Sequence, residues 1–261
     1  MKTFFADIDG FYTEIIDYHP ERSAGQLVIA LHGFGGNART FRRLKGLLPE
    51  TYRLWGLSLP WHGRTETDAV REKMSLEGYA RGLAALLDEQ GISRIILLCH
   101  SFGSRIGALF ASLYPARTQH LVLIAPGGYY PPEDYMFRFL GSFPMRRLIR
   151  NDLFLAPFVK FLIPTLPREK KAATYNALRH IGWSFPSISL KARGELHRLR
   201  AYPGKTLLII GDRDRLMKAS YAPKIARWYQ ACTVEIMPGI GHLPMAEKPD
   251  ALCALLVRHW A

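Results

Sequence analysis

No stretch of this sequence reaches the roughly 18 apolar residues that a membrane helix requires. Its opening, Met1-Lys2-Thr3-Phe4-Phe5-Ala6-Asp7, meets an acidic residue too soon for a secretory leader, so a cytoplasmic location without a membrane span is expected. Cysteine is scarce: Cys99, Cys232 and Cys253 cannot all pair and lack the spacing of metal ligands, which argues against a disulfide framework and against a zinc site. The glycines at 33, 35 and 36 are followed by neither the Lys-Ser pair of a phosphate loop nor the distant acidic partner of a dinucleotide fold. Internal repeats and low-complexity tracts are also missing. What is present is a chain of 261 residues, 48% hydrophobic, long enough to bury a large core.

Four apolar runs, each followed by a glycine-rich or polar turn, set the pattern. Ile95-Ile96-Leu97-Leu98 reads as a buried strand, then comes His100-Ser101-Phe102-Gly103, then the helical run from Arg105 to Ala111. A serine on a sharp strand-to-helix turn is a nucleophile elbow, and the turn demands small residues two positions either side. Gly103 meets that demand, and Cys99 stands at the other position as tolerated bulk. Leu27-Val28-Ile29-Ala30-Leu31 ends in His32-Gly33-Phe34-Gly35-Gly36, where backbone N–H groups can point into a site. Thr206-Leu207-Leu208-Ile209-Ile210 runs into Gly211-Asp212-Arg213-Asp214, placing carboxylates at a strand end; Asp214 is favoured as the acid, with Asp212 the alternative. Thr233 to Met237 reads as a last strand, followed by a loop presenting His242 as general base. His32 and His62 read as structural loop histidines, and His100 as turned into the protein.

On these residues the sequence resembles the α/β-hydrolase fold superfamily, whose chain order of nucleophile, acid and base is matched by Ser101, Asp214 and His242. His32-Gly33 resembles its oxyanion segment, Leu59-Pro60-Trp61-His62-Gly63-Arg64-Thr65 its Leu-Pro-Gly-His-Gly-x-Ser turn, and Gly241-His242 with Glu247 and Pro249 its histidine loop. Besides Cys99, the departures are Ser58, where many members carry Asp, and Trp61, where they carry Gly. The resemblance implies a mostly parallel, doubly wound α/β sheet of about eight strands with a helical cap. It also implies an oxyanion hole made by the Phe34 and Phe102 backbone N–H groups.

A coarse pass along the chain predicts a hairpin over 4–17 around Asp9-Gly10, a helix over 38–48 and a strand over 53–57. An amphipathic helix follows over 74–90, with Leu76, Tyr79, Leu83, Leu86 and Leu87 on one face, and Leu121 to Ile124 form the strand after the nucleophile helix. The strand–helix rhythm then stops until about Lys205. Residues 1–126 and 204–261 are therefore assigned to the hydrolase core, and 127–203 to a helical cap, its helices broken at Pro144, Pro157, Pro164, Pro167 and Pro186. The insert is rich in bulky apolar residues such as Phe137, Phe143, Phe154, Phe158, Tyr175 and Trp183, which either pack the cap onto the core or line an apolar pocket. It carries 13 Lys plus Arg against 5 Asp plus Glu, hence +8 of the chain's formal +13. That excess suits either a solvated outer face or the steering of acidic substrates. No aromatic–basic motif accompanies it, so a nucleic-acid partner is not expected.

The expected function is a serine hydrolase that cleaves a carboxylic ester or related acyl bond through an acyl-enzyme, with no metal and no organic cofactor. Its substrate would be a small apolar or aromatic acyl compound, with an acidic group compatible with the basic insert. Phe34, Arg105, Tyr129, Trp183 and Leu243 are the candidate substrate-binding residues. Arg105 also resembles an arginine of the menaquinone-pathway synthases of this fold. That keeps open a lyase or carbon–carbon bond hydrolase, beside a third reading as a non-enzymatic small-ligand receptor.

Overall fold

A computed structural model of the chain describes residues 1–67, 74–127, 129, 151–162 and 202–260. The chain enters as the expected hairpin. Strands β1 (Lys2–Ile8) and β2 (Phe11–Asp17) pair antiparallel with Ile8 opposite Phe11, and the loop residues Asp9 and Gly10 both take positive φ, 56° and 76°. Such a two-residue loop matches the right-handed twist of the flanking strands, and Asp-Gly tolerates it. The strands β3 (Gln26–Leu31), β4 (Tyr52–Leu57), β5 (Glu66–Thr67), β6 (Ile95–His100), β7 (Thr118–Ile124), β8 (Lys205–Gly211) and β9 (Ala231–Met237) complete one sheet.

Its order is β1-β2-β4-β3-β6-β7-β8-β9, with the short β5 paired on β2 as a ninth strand that the sequence did not announce. From β4 through β9 every neighbour runs parallel. The chain steps outward from β3 to β4 and then returns to lay β6 on the other side of β3, so the winding direction reverses between β3 and β6. Ligands of open parallel sheets bind outside the carboxyl ends of the strands at such a reversal. Here that point holds the His32 loop and Ser101.

Burial follows the residue types. Every residue of β6, and all of β8 after Lys205, is buried, as the unbroken apolar runs require of strands covered on both faces. Each such Leu or Ile contributes roughly 1.5–3 kcal/mol by leaving water. Helix α1 (Leu76–Glu89) starts where Ser75 accepts the Gly78 N–H, 3.0 Å, with Glu77 in its first turn. The stripe Leu76, Tyr79, Leu83, Leu86 and Leu87 is buried as expected. Helix α2 (Gly103–Leu113) packs against α1 and against β6 and β7.

Two local expectations are corrected. Residues 38–48 form a series of turns with one 3-10 segment, Arg42–Leu44, instead of a helix. Phe41, Leu44 and Leu48 are still buried, but most of the backbone bonds run three residues back, which suits a short path closed by Pro49. Pro157 does not end a helix: it lies inside α3 (Asp152–Leu162). The bond its missing N–H forgoes would have gone to Leu153, a residue at the exposed surface where water can serve that carbonyl. Of the expected insert 127–203, residues 128, 130–150 and 163–201 lie outside the described residues, Trp183 included. Its two ends leave β7 and enter β8, which are adjacent parallel strands. Three short helical segments finish the chain: α4 (Ala222–Ala226), α5 (Pro244–Glu247) and the longer α6 (Pro249–Trp260).

Candidate active site

Ser101, Asp214, His242 and the His32 loop each follow the carboxyl end of a parallel strand, so the fold delivers them to one edge of the sheet. Ser101 stands between β6 and α2 with φ 48°, in the left-handed region that costs a residue with a Cβ about 1–2 kcal/mol. Backbone bonds hold it there: its N–H donates to Ile124 O at 2.9 Å, and its carbonyl accepts from Ser104 N at 3.0 Å and Gly127 N at 3.1 Å. Gly103 is required because a Cβ there would stand 2.5 Å from Leu31 O and 2.7 Å from His32 O. On the strand side, Cys99 is fully buried and points at α2, where Gly107 yields the space; a Cβ at 107 would collide with the Cys99 sulfur. Burial pushes the Cys99 thiol far up, so it packs as a small apolar group. Because glycine accepts positive φ without penalty, Ser101→Gly is expected to stabilise the fold by about 1 kcal/mol, raising Tm by roughly 2–4 °C in calorimetry while removing the hydroxyl. An unchanged or lower Tm would show that the turn is not strained.

Asp214 is 5% exposed, and its Oδ2 accepts a 2.8 Å hydrogen bond from His242 Nδ1. Its other oxygen accepts the N–H groups of Leu216, 2.8 Å, and Met217, 2.9 Å. Burial alone would raise this carboxyl, but the charge of His242 and the hydrogen bonds from His242, Met217 and Leu216 outweigh it and hold the group below its ordinary value. Asp212, the alternative acid, instead accepts the exposed Gly239 N–H at 2.7 Å. His242 itself is fixed from both sides, since Glu247 accepts from Gly241 N at 2.8 Å and from Leu243 N at 3.0 Å. The neighbour of Ser101 adds a third hold: His100 Nε2 lies 2.9 Å from the His242 carbonyl, and their rings are 4.8 Å apart. A carbonyl can only accept, so His100 Nε2 carries the hydrogen. As expected, His100 is turned inward, and it ties the serine turn to the histidine loop.

The glycine loop is positioned by two more histidines. His32 Nδ1 donates to Gly33 O, 2.7 Å, while its Nε2 accepts Leu59 N–H, 2.9 Å. His62 Nδ1 donates to Pro60 O, 2.8 Å, and its Nε2 accepts Gly35 N–H, 3.2 Å. Both patterns need a neutral ring with its hydrogen on Nδ1. Phe34 places its ring edge-on to His62, with centroids 5.6 Å apart. Phe102 opens α2, and a side chain at Gly127 would stand 3.5 Å from Ser101 Oγ and 3.6 Å from Phe102 N, so glycine there leaves both clear. Trp61 keeps φ 63°, the backbone angle glycine would adopt, and sets its ring against Phe11; the departure from the resembled motif alters the side chain and not the turn.

Burial lowers His32 well below its ordinary value, His62 to about 4 and His100 to about 3, with neighbouring imidazoles adding to the effect at His32 and His100. The unfolded chain therefore takes up these protons first as pH falls below about 6.5. Stability is complete above that value and is lost on acidification, by up to about 1.4 kcal/mol per pH unit for each such histidine. Urea midpoints measured at pH 7 and pH 5 should fall accordingly; equal midpoints would contradict the neutral-imidazole assignment.

The candidate substrate residues are placed unevenly. Arg105 is not a surface residue: it is 4% exposed within α2, and its charge acts on the nearby Tyr129 hydroxyl. Tyr129 is buried, its hydroxyl 2.7 Å from that of Tyr229 and its ring on Trp228, with centroids 5.1 Å apart. Leu243 is half-buried just before α5. Sequence reasoning missed Glu14, a fully buried carboxylate on β2. A lone Glu within the strand-like run Phe11-Tyr12-Thr13-Glu14-Ile15-Ile16 was the available signal. Among the described residues, no group of three or more His, Cys, Asp or Glu could hold a metal ion, and no helix is long and apolar enough to cross a membrane.

Residues 28–255 match the model of the alpha/beta hydrolase family. Lipase 1 of Psychrobacter immobilis is 24% identical over 245 residues, covering 87% of this chain and 74% of that protein. A candidate 2-succinyl-6-hydroxy-2,4-cyclohexadiene-1-carboxylate synthase of Bacillus subtilis (strain 168) is 26% identical over 262 residues, covering 92% of each. Among solved structures, a bacterial membrane phospholipase A described as a virulence factor superposes with a TM-score of 0.81 at 23% identity, covering 99% of this chain and 85% of that one.

Proposed function

Because the chain belongs to the alpha/beta hydrolase family, we propose that it hydrolyses a carboxylic ester or related acyl bond, with Ser101 as nucleophile, His242 as general base and Asp214 as the acid that orients it. The observation that carries this reading is the 2.8 Å bond from His242 Nδ1 to the buried Asp214 carboxylate, which leaves Nε2 as the nitrogen available to a serine proton. Ser101 attacks the substrate carbonyl as His242 takes its proton, and the tetrahedral oxyanion accepts the Phe34 and Phe102 N–H groups. Loss of one such donor costs roughly 3–4 kcal/mol of barrier in comparable sites. His242 then protonates the leaving alcohol, and a water activated by the same ring releases the acid. Every step uses this chain's own groups and water.

The substrate class follows from the insert's apolar composition: a small or medium apolar or aromatic acyl ester, bound against Phe34 and Leu243. A panel of nitrophenyl esters together with a fluorophosphonate probe tests the reading. Turnover and labelling at Ser101 are expected; the absence of both would remove it.

One observation favours a second reading. Arg105 is a guanidinium buried one turn beyond Ser101, and a buried cation suits an anionic substrate such as the carboxylate compound for which the Bacillus relative is named. In that case Ser101 and His242 serve proton abstraction or attack on a ketone in a lyase or carbon–carbon bond hydrolase. Incubation with the succinylated cyclohexadiene precursor or a vinylogous diketone decides between them, and ester turnover far above either reaction counts against this class.

A further inference from the structure

The turn 58–65 and the loop 33–39 are the two segments that shape the glycine loop, and one side chain reaches both. Glu14 lies on β2, fully buried. Its Oε1 accepts from Arg39 Nη1 at 3.1 Å, and its Oε2 accepts from Ser58 Oγ at 2.8 Å and from Arg64 N at 3.1 Å. Ser58 Oγ in turn accepts Ala38 N–H at 2.9 Å. The Glu14 backbone joins in, its carbonyl accepting Ser58 N–H at 2.9 Å and its N–H donating to Thr65 Oγ1 at 3.0 Å. One carboxylate thus fastens Ser58 and Arg64 of the turn to Ala38 and Arg39 of the loop. The fastened turn carries His62 and Leu59, whose bonds to Gly35 N and to His32 hold the segment that contains Phe34.

We propose that Glu14 is a positioning residue for the oxyanion loop, supplying from β2 the carboxylate that the resembled family places on the turn itself, at the position of Ser58. Three donors converge on it from two segments, an arrangement that only an ionised carboxylate satisfies, because an amide turns its NH2 toward donors. Serine at 58 relays the charge to Ala38 N and leaves room for the longer side chain from β2. Glu14 touches no substrate; it acts through where Gly35 and Phe34 stand. This inference rests on the proposed ester hydrolysis only for its kinetic arm.

The test uses the full chain, with nitrophenyl butyrate as substrate and phenylboronic acid as a mimic of the tetrahedral oxyanion. Glu14→Gln should lower kcat by about 10- to 100-fold with KM within twofold, and should weaken boronate inhibition by a similar factor. Glu14→Ala/Ser58→Asp, which moves the carboxylate back onto the turn, should recover most of kcat. A carboxylate that merely braces the fold would lower Tm and leave kcat and boronate affinity of the folded protein unchanged, and that result overturns the proposal. Hydrogen exchange of the 33–39 and 58–65 amides, faster in Glu14→Gln, is read independently of activity. If the parent cleaves no ester, the hydrolase reading fails alone and unchanged exchange overturns the positioning role. Should Glu14→Gln not fold, Ser58→Ala, which cuts the link to Ala38 N, is read by the same kinetic and exchange measurements with the same expected and overturning results.

Discussion

Ser101→Ala is expected to abolish fluorophosphonate labelling and to lower kcat for any ester the protein turns over by roughly 10⁴- to 10⁶-fold, with KM changed little. The reason is structural as much as chemical. The hydroxyl is presented by a turn whose backbone bonds to Ile124 O, Ser104 N and Gly127 N do not involve the side chain, so alanine leaves the backbone in place and removes only the nucleophile. Circular dichroism and Tm close to those of the parent protein should accompany the loss. Residual turnover within tenfold of the parent would mean that another group attacks the substrate, and the proposed acyl-enzyme would fall with it.

Asp214→Asn should be nearly as damaging, lowering kcat by about 10⁴-fold near neutral pH. In the parent, one carboxylate oxygen takes His242 Nδ1 while the other takes the Leu216 and Met217 N–H groups. Asparagine has one acceptor oxygen, and the two backbone donors compete for it. Its NH2 then faces His242 Nδ1 and stabilises the tautomer with hydrogen on Nε2, which cannot accept the serine proton. The parent carboxyl is held below its ordinary value, so it remains charged well into the acid range, and its pairing with His242 supports folding above the unfolded carboxyl's value. That support is lost only as pH falls through the lowered one. An Asp214→Asn enzyme with kcat within tenfold of the parent's at pH 7 would show that the carboxylate does not set the tautomer. Asp212→Asn serves as the control, because its oxygen serves Gly239 N instead.

What the sequence made legible was local. The nucleophile turn could be read because the apolar run, the serine and the small residue after it sit within a few positions, and the main strand segments along the chain followed from apolar runs ending in glycine-rich turns, whereas their order within the sheet did not. The choice of Asp214 over Asp212 rested on the resemblance, since a position three residues beyond Gly211 matches the family's loop; the structure sends the two side chains to different partners. The helix expected over 38–48 failed because buried Phe41, Leu44 and Leu48 also fit a chain of tight turns, and periodicity over so short a span does not separate the two. The holds on the site were illegible for a different reason. Glu14 meets Ser58, and His100 meets the His242 carbonyl, across long stretches of chain, and nothing local to either residue marks its partner. Expectations for the insert, Trp183 among them, fall largely outside the described residues.

The interlock of Cys99 with Gly107 also constrains how this lineage can change. An ancestor with glycine at 99 could tolerate alanine at 107, but once cysteine arrives the helix position must already be bare. Reversal is equally ordered: the thiol has to be lost before the helix can gain a methyl group. Of the two single-step routes between the Cys–Gly and Gly–Ala combinations, one passes through a collision and the other through a void, so change at this pair of sites has only one passable route, the same in either direction.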